Sequence, residues 1–449
     1  MTEKAVVFAI VALIIGLVIG AGATYLATGG ASTITTTTVT KTIGGATATT
    51  TATITTTLTT TATATASPAA GLPKEIVIGV VLPLSGDLAS EGKLVSNALT
   101  LAEEDINNYL ATLGLSTKVK FDVEDSKTTP EGGLQAVQSL AARGITCIIG
   151  PMISPAISAS KDYVDSHHIV LLSQSSTAMS LAISDDFVFR LVTSDELQAK
   201  AIVKLMQEMG ISEIAIIYRA NEWGRGLADR VSELFEAAGG KVLDKIGYDP
   251  KAPEHSTEVA RLADIISGAS DLSKTAVLMI SFHADGVDIL NLAMSYPQLM
   301  QVAWFGTDGT AYSSKIADEA GEAASKVKLY STMYAVISPL KDQFVQRFKE
   351  RFGEAPDSYA ILTYDCAWLY TLTILQTGST DGEAIRKALP EVAARFYGIS
   401  GWCILNEAGD RASGDYIVVC VTQENGQYIW KEVAIYHTFT DTVEWLESL

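Results

Sequence analysis

Residues 145–177 read ITCIIGPMISPAISASKDYVDSHHIVLLSQSST. Two short apolar runs, at 147–149 and 169–172, have the length and composition of buried strands. Each stops in small residues: Gly150-Pro151 leading to Ser154, then Ser173 through Thr177. Between them, 154–167 reads as a helix that starts at a serine cap with Pro155 at its first position, the placement proline favours. The unit is strand, polar loop, helix, strand, polar loop. In an open parallel sheet those loops lie at the carboxyl ends of the strands, where ligands bind. Hydroxyls and free backbone N–H groups gathered at a helix start suit a carboxylate or another small anion.

The same alternation extends in both directions. Strands are expected at 75–82, 117–124 and 187–191, with helices at 90–113, 130–143 and 194–209. The rhythm repeats with strands at 214–218, 241–247, 276–280 and 302–305 and helices at 223–238, 255–269 and 285–296. Apolar strands alternating with helices imply parallel α/β sheets with right-handed crossovers. There are too many strands for one compact sheet of this kind, so two doubly wound lobes are expected. Helices follow at 340–352, 357–377 and 382–394. Turn-separated strands near 402–405, 416–421 and 428–433 close the chain and read as edge strands returning to both lobes.

The N-terminal part has a different character. Residues 5–27 are almost unbroken apolar sequence behind Lys4. A helix of that length, at about 1.5 Å per residue, spans the ~30 Å hydrocarbon layer. A membrane anchor over 1–30 is the favoured reading. A signal segment cut near the small residues 20–23, or a leader resembling the prepilin type, are the alternatives. All three put the rest of the chain outside the membrane. Residues 31–72 are a low-complexity linker dominated by Thr and Ala, without an alternating apolar face. They read as a disordered stalk, similar to those that carry O-linked sugars, or as a bare flexible tether.

The 449 residues carry a net charge of −19, which argues against a nucleic-acid partner, whose phosphates call for clustered Lys and Arg. Hydrophobic residues make up 48%, enough for a large core. The four cysteines, Cys147, Cys366, Cys403 and Cys420, include no C-x-x-C pair, so a zinc or thioredoxin-type site is not expected. Cys403 and Cys420 are either bridged across a hairpin or two buried thiols.

Order and spacing over residues 74–433 resemble the solute-binding proteins of branched-chain amino acid ABC transporters, the type I periplasmic binding fold. IGVVLPLSGDLASEG (78–92) is similar to that family's opening strand and loop. IIGPMISPAISA (148–159) and LLSQSST (171–177) resemble its two ligand loops, and FRLVTSDELQA (189–199) its first hinge. YRANEWGRG (218–226) and WFGTDG (304–309) resemble the site loops of its second lobe. FKERFGEAPDSYAILTYDCAWL (348–369) and YGISGWCILNEAGDR (397–411) complete the match. The resemblance implies three strands crossing between lobes near Thr193, Tyr330 and Tyr416. Lobe I would comprise 74–193 plus 330–415 and lobe II 194–329 plus 416–435, leaving 436–449 as a tail without counterpart.

An amino acid offers a carboxylate and an ammonium to be desolvated together, so its site needs donors for one and an acceptor for the other. By the resemblance, Ser154 is the best carboxylate donor, with backbone N–H groups near Ser175 and Thr177. Asp308 is the best ammonium acceptor, and Trp223 falls where an aromatic covers the ligand. Each has a structural alternative: a helix cap for Ser154, a turn aspartate for Asp308, a core side chain for Trp223. Glu91 stands where the family usually has an aromatic and His283, or Phe282 beside it, where a Tyr is usual. Both together would make the pocket more polar than a leucine pocket.

No nucleophile elbow, Walker loop, H-E-x-x-H or G-x-G-x-x-G motif is present, so neither an enzyme nor a cofactor is expected. The resemblance implies an extracellular binding protein, tethered or secreted, that closes on its ligand by hinge rotation and delivers it to a membrane ABC permease. An extracellular sensor, or a structural surface or filament protein, would use the same fold.

Overall fold

The computed structural model describes residues 38–43, 46–51 and 72–446. The anchor reading of 1–30 and most of the Thr-rich linker lie outside the described residues. Among the described residues no helix is long and apolar enough to cross a membrane.

The chain forms two compact units. In the first, strands β1 (Thr38–Ile43) and β2 (Ala46–Thr51) pair antiparallel, with Thr38 opposite Thr51 and Ile43 opposite Ala46. The composition pointed to irregular chain there. Threonine is β-branched and favours extended backbone, so pairing needs no apolar face.

The second unit, 67–449, carries the body. Its first sheet is built from β3 (Glu75–Leu82), β4 (Lys118–Asp125), β5 (Cys147–Ile149), β6 (Val170–Ser173) and β7 (Val188–Arg190). The spatial order is β4-β3-β5-β6-β7, and every pair is parallel. Helices α1 (Ala89–Thr112), α2 (Pro130–Ala142) and α3 (Ser154–His167) make the crossovers. The strands are almost continuous Val, Ile and Leu because a parallel sheet is covered on both faces, and Ile78, Val80, Ile148, Ile149 and Leu171 have no exposed surface.

The second sheet begins with β8 (Glu213–Arg219), β9 (Lys241–Tyr248), β10 (Thr275–Ile280) and β11 (Ala303–Gly306), parallel and in the order β11-β10-β8-β9. Their helices are α4 (Asp195–Glu208), α5 (Glu222–Ala237), α6 (Ser256–Ser267), α7 (His283–Ala293) and α8 (Ser314–Lys326). Helix α8 was not anticipated. Its buried face is mostly alanine (Ala317, Ala320, Ala323, Ala324) and its backbone breaks at Ala320, so its apolar stripe is faint in sequence.

The sheet continues through β12 (Tyr330–Tyr334), parallel to β11, then β15 (Tyr416–Glu424), β16 (Gln427–His437) and β17 (Thr442–Trp445), each antiparallel to its neighbour. β15, β16 and β17 therefore extend this eight-stranded sheet, while the segment just before them stays with the first lobe, where Asp410 bridges Arg190 of β7, so the closing part of the chain serves both lobes as expected. The expected strand at 402–405 shrinks to a two-residue pair, β13 (Tyr397–Gly398) with β14 (Gly401–Trp402). The tail at 436–449 contributes β17, which pairs along the outer edge of β16.

After β12 the chain returns to the first sheet as α9 (Lys341–Phe352), α10 (Ser358–Thr377) and α11 (Gly382–Ala393). Arg347 of α9 grips Asp105 of α1 at 2.5 and 2.9 Å. The Tyr370 hydroxyl of α10 donates to Val170 O of β6 at 2.8 Å. Leaving β7, the chain enters α4, where Gln198 Nε2 donates to Thr332 O and Oγ1 on β12. Thr193 and Tyr416, two of the expected crossover positions, are hydrogen-bonded to each other at 2.7 Å. The four cysteines are buried free thiols, so Cys403 and Cys420 are not bridged.

Candidate functional site

Two loops of the first lobe form one wall of a cavity. Gly150 turns the chain out of β5 at φ +88°, where a side chain would meet Val81 O at 2.4 Å. The serine cap expected for α3 is not formed: Ile153 holds the cap position and Ser154 is the first helical residue. The Ser154 hydroxyl turns instead to the neighbouring loop. Its Oγ accepts from Ser176 Oγ–H at 2.9 Å and from Ala178 N–H at 3.2 Å, which leaves its own proton to donate. Ser173 braces this loop, accepting from the N–H groups of Ser175 and Ser176 while its hydroxyl donates to Pro151 O. Ser175 Oγ donates to Met152 O at 2.9 Å. Thr177 Oγ1 is buried without a partner.

Beneath the loop, Arg190 is fully buried and makes a two-point pair with Asp410 at 2.5 and 2.6 Å. Its third nitrogen donates to Ser176 O and Ala178 O. One guanidinium thus fixes the loop that carries Thr177.

The second lobe supplies the opposing wall, again from residues just past the carboxyl ends of parallel strands. Asn221 caps α5 by accepting from Gly224 N–H at 2.9 Å, which sets Trp223 in the first turn. Trp223 stacks on Phe282, with centroids 5.0 Å apart. Gly309 lets the indole approach, since a Cβ there would lie 2.8 Å from it. Asp308 follows β11, and its Oδ2 accepts from Tyr359 O–H of α10 at 2.6 Å, while Oδ1 is buried without a partner. Burial pushes the Asp308 carboxyl above the usual carboxylate range. Asp195, at the start of α4, is pushed well above it by burial and by the charge of Asp308. Both its oxygens lack partners.

Ser154, Ser175, Thr177, Trp223, Asp308, Glu91 and His283 all line one cavity, together with Phe282, Asp357, Tyr359 and several apolar side chains. Phe282 and His283 are both there, so the two alternatives for one position are neighbours on the same wall. His283 Nε2 lies 3.2 Å from Glu91 Oε1, joining the lobes across the cavity. Burial, with Asp357's charge adding, pushes Glu91 up to about 7. Burial also pushes His283 down to about 4, so this imidazole is neutral at physiological pH.

Sequence reasoning missed Asp357, Tyr359 and Asp195. Asp357 caps α10, accepting from Ala360 N–H at 2.7 Å, and the sequence marked it only as the start of that helix. A buried carboxyl two residues before a tyrosine at a helix start is a signal only once the topology brings that start to the cleft.

The profile of the periplasmic binding protein family matches residues 75–427. An uncharacterized protein of Methanocaldococcus jannaschii is 33% identical over 388 residues, covering 82% of this chain and 91% of that protein. A Leu/Ile/Val-binding protein homolog of Brucella melitensis is 23% identical, covering 76% and 90%. Among solved structures, a leucine-binding protein of Thermotoga maritima superposes with a TM-score of 0.69 at 19% identity, covering 80% of this chain and 98% of its own. That last likeness is one of fold. Motifs, two-lobed architecture and the span of the family match agree: this chain belongs to the periplasmic binding protein family.

Proposed function

We propose that this chain is the extracellular solute-binding protein of an ABC importer, taking an amino acid or related small zwitterion between its lobes and passing it to a membrane permease. The observation that carries the reading is one cavity with complementary walls. On the first lobe, Ser154 has a proton to donate and Thr177 an unpartnered hydroxyl; on the second, Asp308 has a free buried oxygen. A carboxylate would take the donors and an ammonium the acceptor, so neither ligand charge is buried unpaired. The relatives support the direction: a Streptococcus pneumoniae structure sharing the fold, at TM-score 0.66, is a branched-chain amino acid transporter substrate-binding protein in complex with isoleucine.

The mechanism is closure. The lobes are bridged across the cleft by Tyr359 to Asp308, by Glu91 beside His283, and by Arg219 to Asp87 at 3.3 Å. A ligand touching both walls would shift the open–closed equilibrium by its differential contact with the closed form. A stalk ahead of the body would keep the protein near its permease and raise the local concentration there. Isothermal titration of the full chain against the common amino acids tests the reading: micromolar or tighter binding of at least one is expected, and no binding by any of them overturns it. Trp223 gives an independent readout. Its indole, 3% exposed, should change fluorescence intensity when a bound amino acid arrives beside it. No change with a ligand that titrates would place Trp223 outside the site.

A further inference from the structure

The charges around the cavity are lopsided. Three carboxyls line it, Glu91, Asp308 and Asp357, and no lysine or arginine does, among the described residues. The guanidiniums nearby are committed elsewhere: Arg219 to Asp285 and Asp87, Arg190 to Asp410. An α-amino acid's single ammonium answers one carboxyl, Asp308. Glu91 and Asp357 remain, both lining the cavity, and the charge of Asp357 raises the proton affinity of Glu91.

His283 shows what is missing between them. Its side chain is 2% exposed. Its Nε2 lies 3.2 Å from Glu91 Oε1, and the other ring nitrogen is Nδ1. That Nδ1 is buried and has no partner. The groups gathered on this side are two carboxyls and one unpartnered imidazole nitrogen. They call for a ligand group rich in N–H donors, and the carboxyls call for it to be positive. Leu88 and Phe282 add apolar lining suited to a methylene stem.

We infer that the ligand is a basic amino acid, its side-chain ammonium or guanidinium held by Glu91, Asp357 and Nδ1 of His283 while Asp308 takes its α-ammonium. This rests on the amino-acid reading above and narrows it. The branched aliphatic side chains bound by the relatives' namesakes would bring no cation to the Glu91 and Asp357 carboxyls that line this end of the cavity.

The test is titration of the full chain with lysine, arginine and ornithine against leucine, glutamine and glutamate. At least tenfold tighter binding of a basic amino acid than of leucine or glutamine is expected. Tighter binding of leucine, glutamine or glutamate overturns the inference but leaves the amino-acid reading standing; no binding by any amino acid overturns both. Glu91→Gln should reduce the preference for the basic ligand over leucine at least tenfold. Equal loss for both ligands would show a structural role and sink the assignment. A measurement on the unaltered protein guards against misfolding of the variant. Glu91, pushed up to about 7, faces only Asp357, pushed up to about 6, and neutral His283, so a cation meets ionised partners as pH rises. Lysine affinity should rise between pH 5.5 and pH 8 relative to leucine's; a ratio that does not move with pH contradicts the inference.

Discussion

Asp308→Ala is expected to lose about 3 kcal/mol of amino-acid binding, roughly a hundredfold in Kd, because it leaves a buried ammonium without its charged acceptor. The fold should survive the change. The charge of Asp308 adds to burial in raising Asp195, and burial raises Asp308 itself, so the two carboxyls repel each other. The conservative Asp308→Asn should weaken binding comparably, yet leave the ligand-free protein at least as stable as the parent. The sign follows from the shifts. A carboxyl whose folded pKa is raised contributes stability that is complete below the unfolded value near 4 and is lost as pH climbs through the folded value. The stability difference between Asp308→Asn and the parent should therefore widen in the variant's favour above about pH 4. Calorimetric titration and thermal unfolding at several pH values check both parts. Unchanged affinity would remove Asp308 from the site.

Arg190→Ala carries the largest expected effect on stability. The side chain is fully buried and holds Asp410 at two points and two loop carbonyls at a third. Removing one partner of a buried pair leaves an uncompensated charge and typically costs ~3–5 kcal/mol. Arg190→Lys should recover little of it, because an ammonium cannot replace a planar fork with five donors. Denaturant unfolding would register the loss. The binding wall should suffer too, since Ser176 and Ala178 lose the donor that positions Thr177. A variant within 1 kcal/mol of the parent would mean that the pair is dispensable.

The first-lobe wall was legible because its logic is local. Apolar runs that stop abruptly in Gly, Pro and Ser mark where strands end, and in a parallel sheet that also marks where ligands arrive. Trp223, His283 and Asp308 were legible for the same reason, each lying just past a strand. The role of Ser154 was only half visible. The sequence offered a cap, whereas the hydroxyl bonds to a loop more than twenty residues on, and that pairing depends on how β5 and β6 lie side by side. Asp357 and Tyr359 were invisible because they reach the cleft from a helix that follows the second sheet and returns to the first. Helix α8 hid behind alanines, which pack closely but give little hydrophobic contrast. The closing part of the chain does serve both lobes, residues 409–411 bonding to Arg190 of β7 while β15 and β16 extend the second sheet.

The central claim is that both walls meet one small ligand. Hydrogen–deuterium exchange of the full chain, with and without the amino acid that titrates most tightly, reads both walls at once. Slowed exchange is predicted together at 150–154 and 173–178 in the first lobe and at 221–224 and 306–312 in the second. Protection confined to one lobe, or absent from both while the ligand is bound, would contradict closure around a shared site.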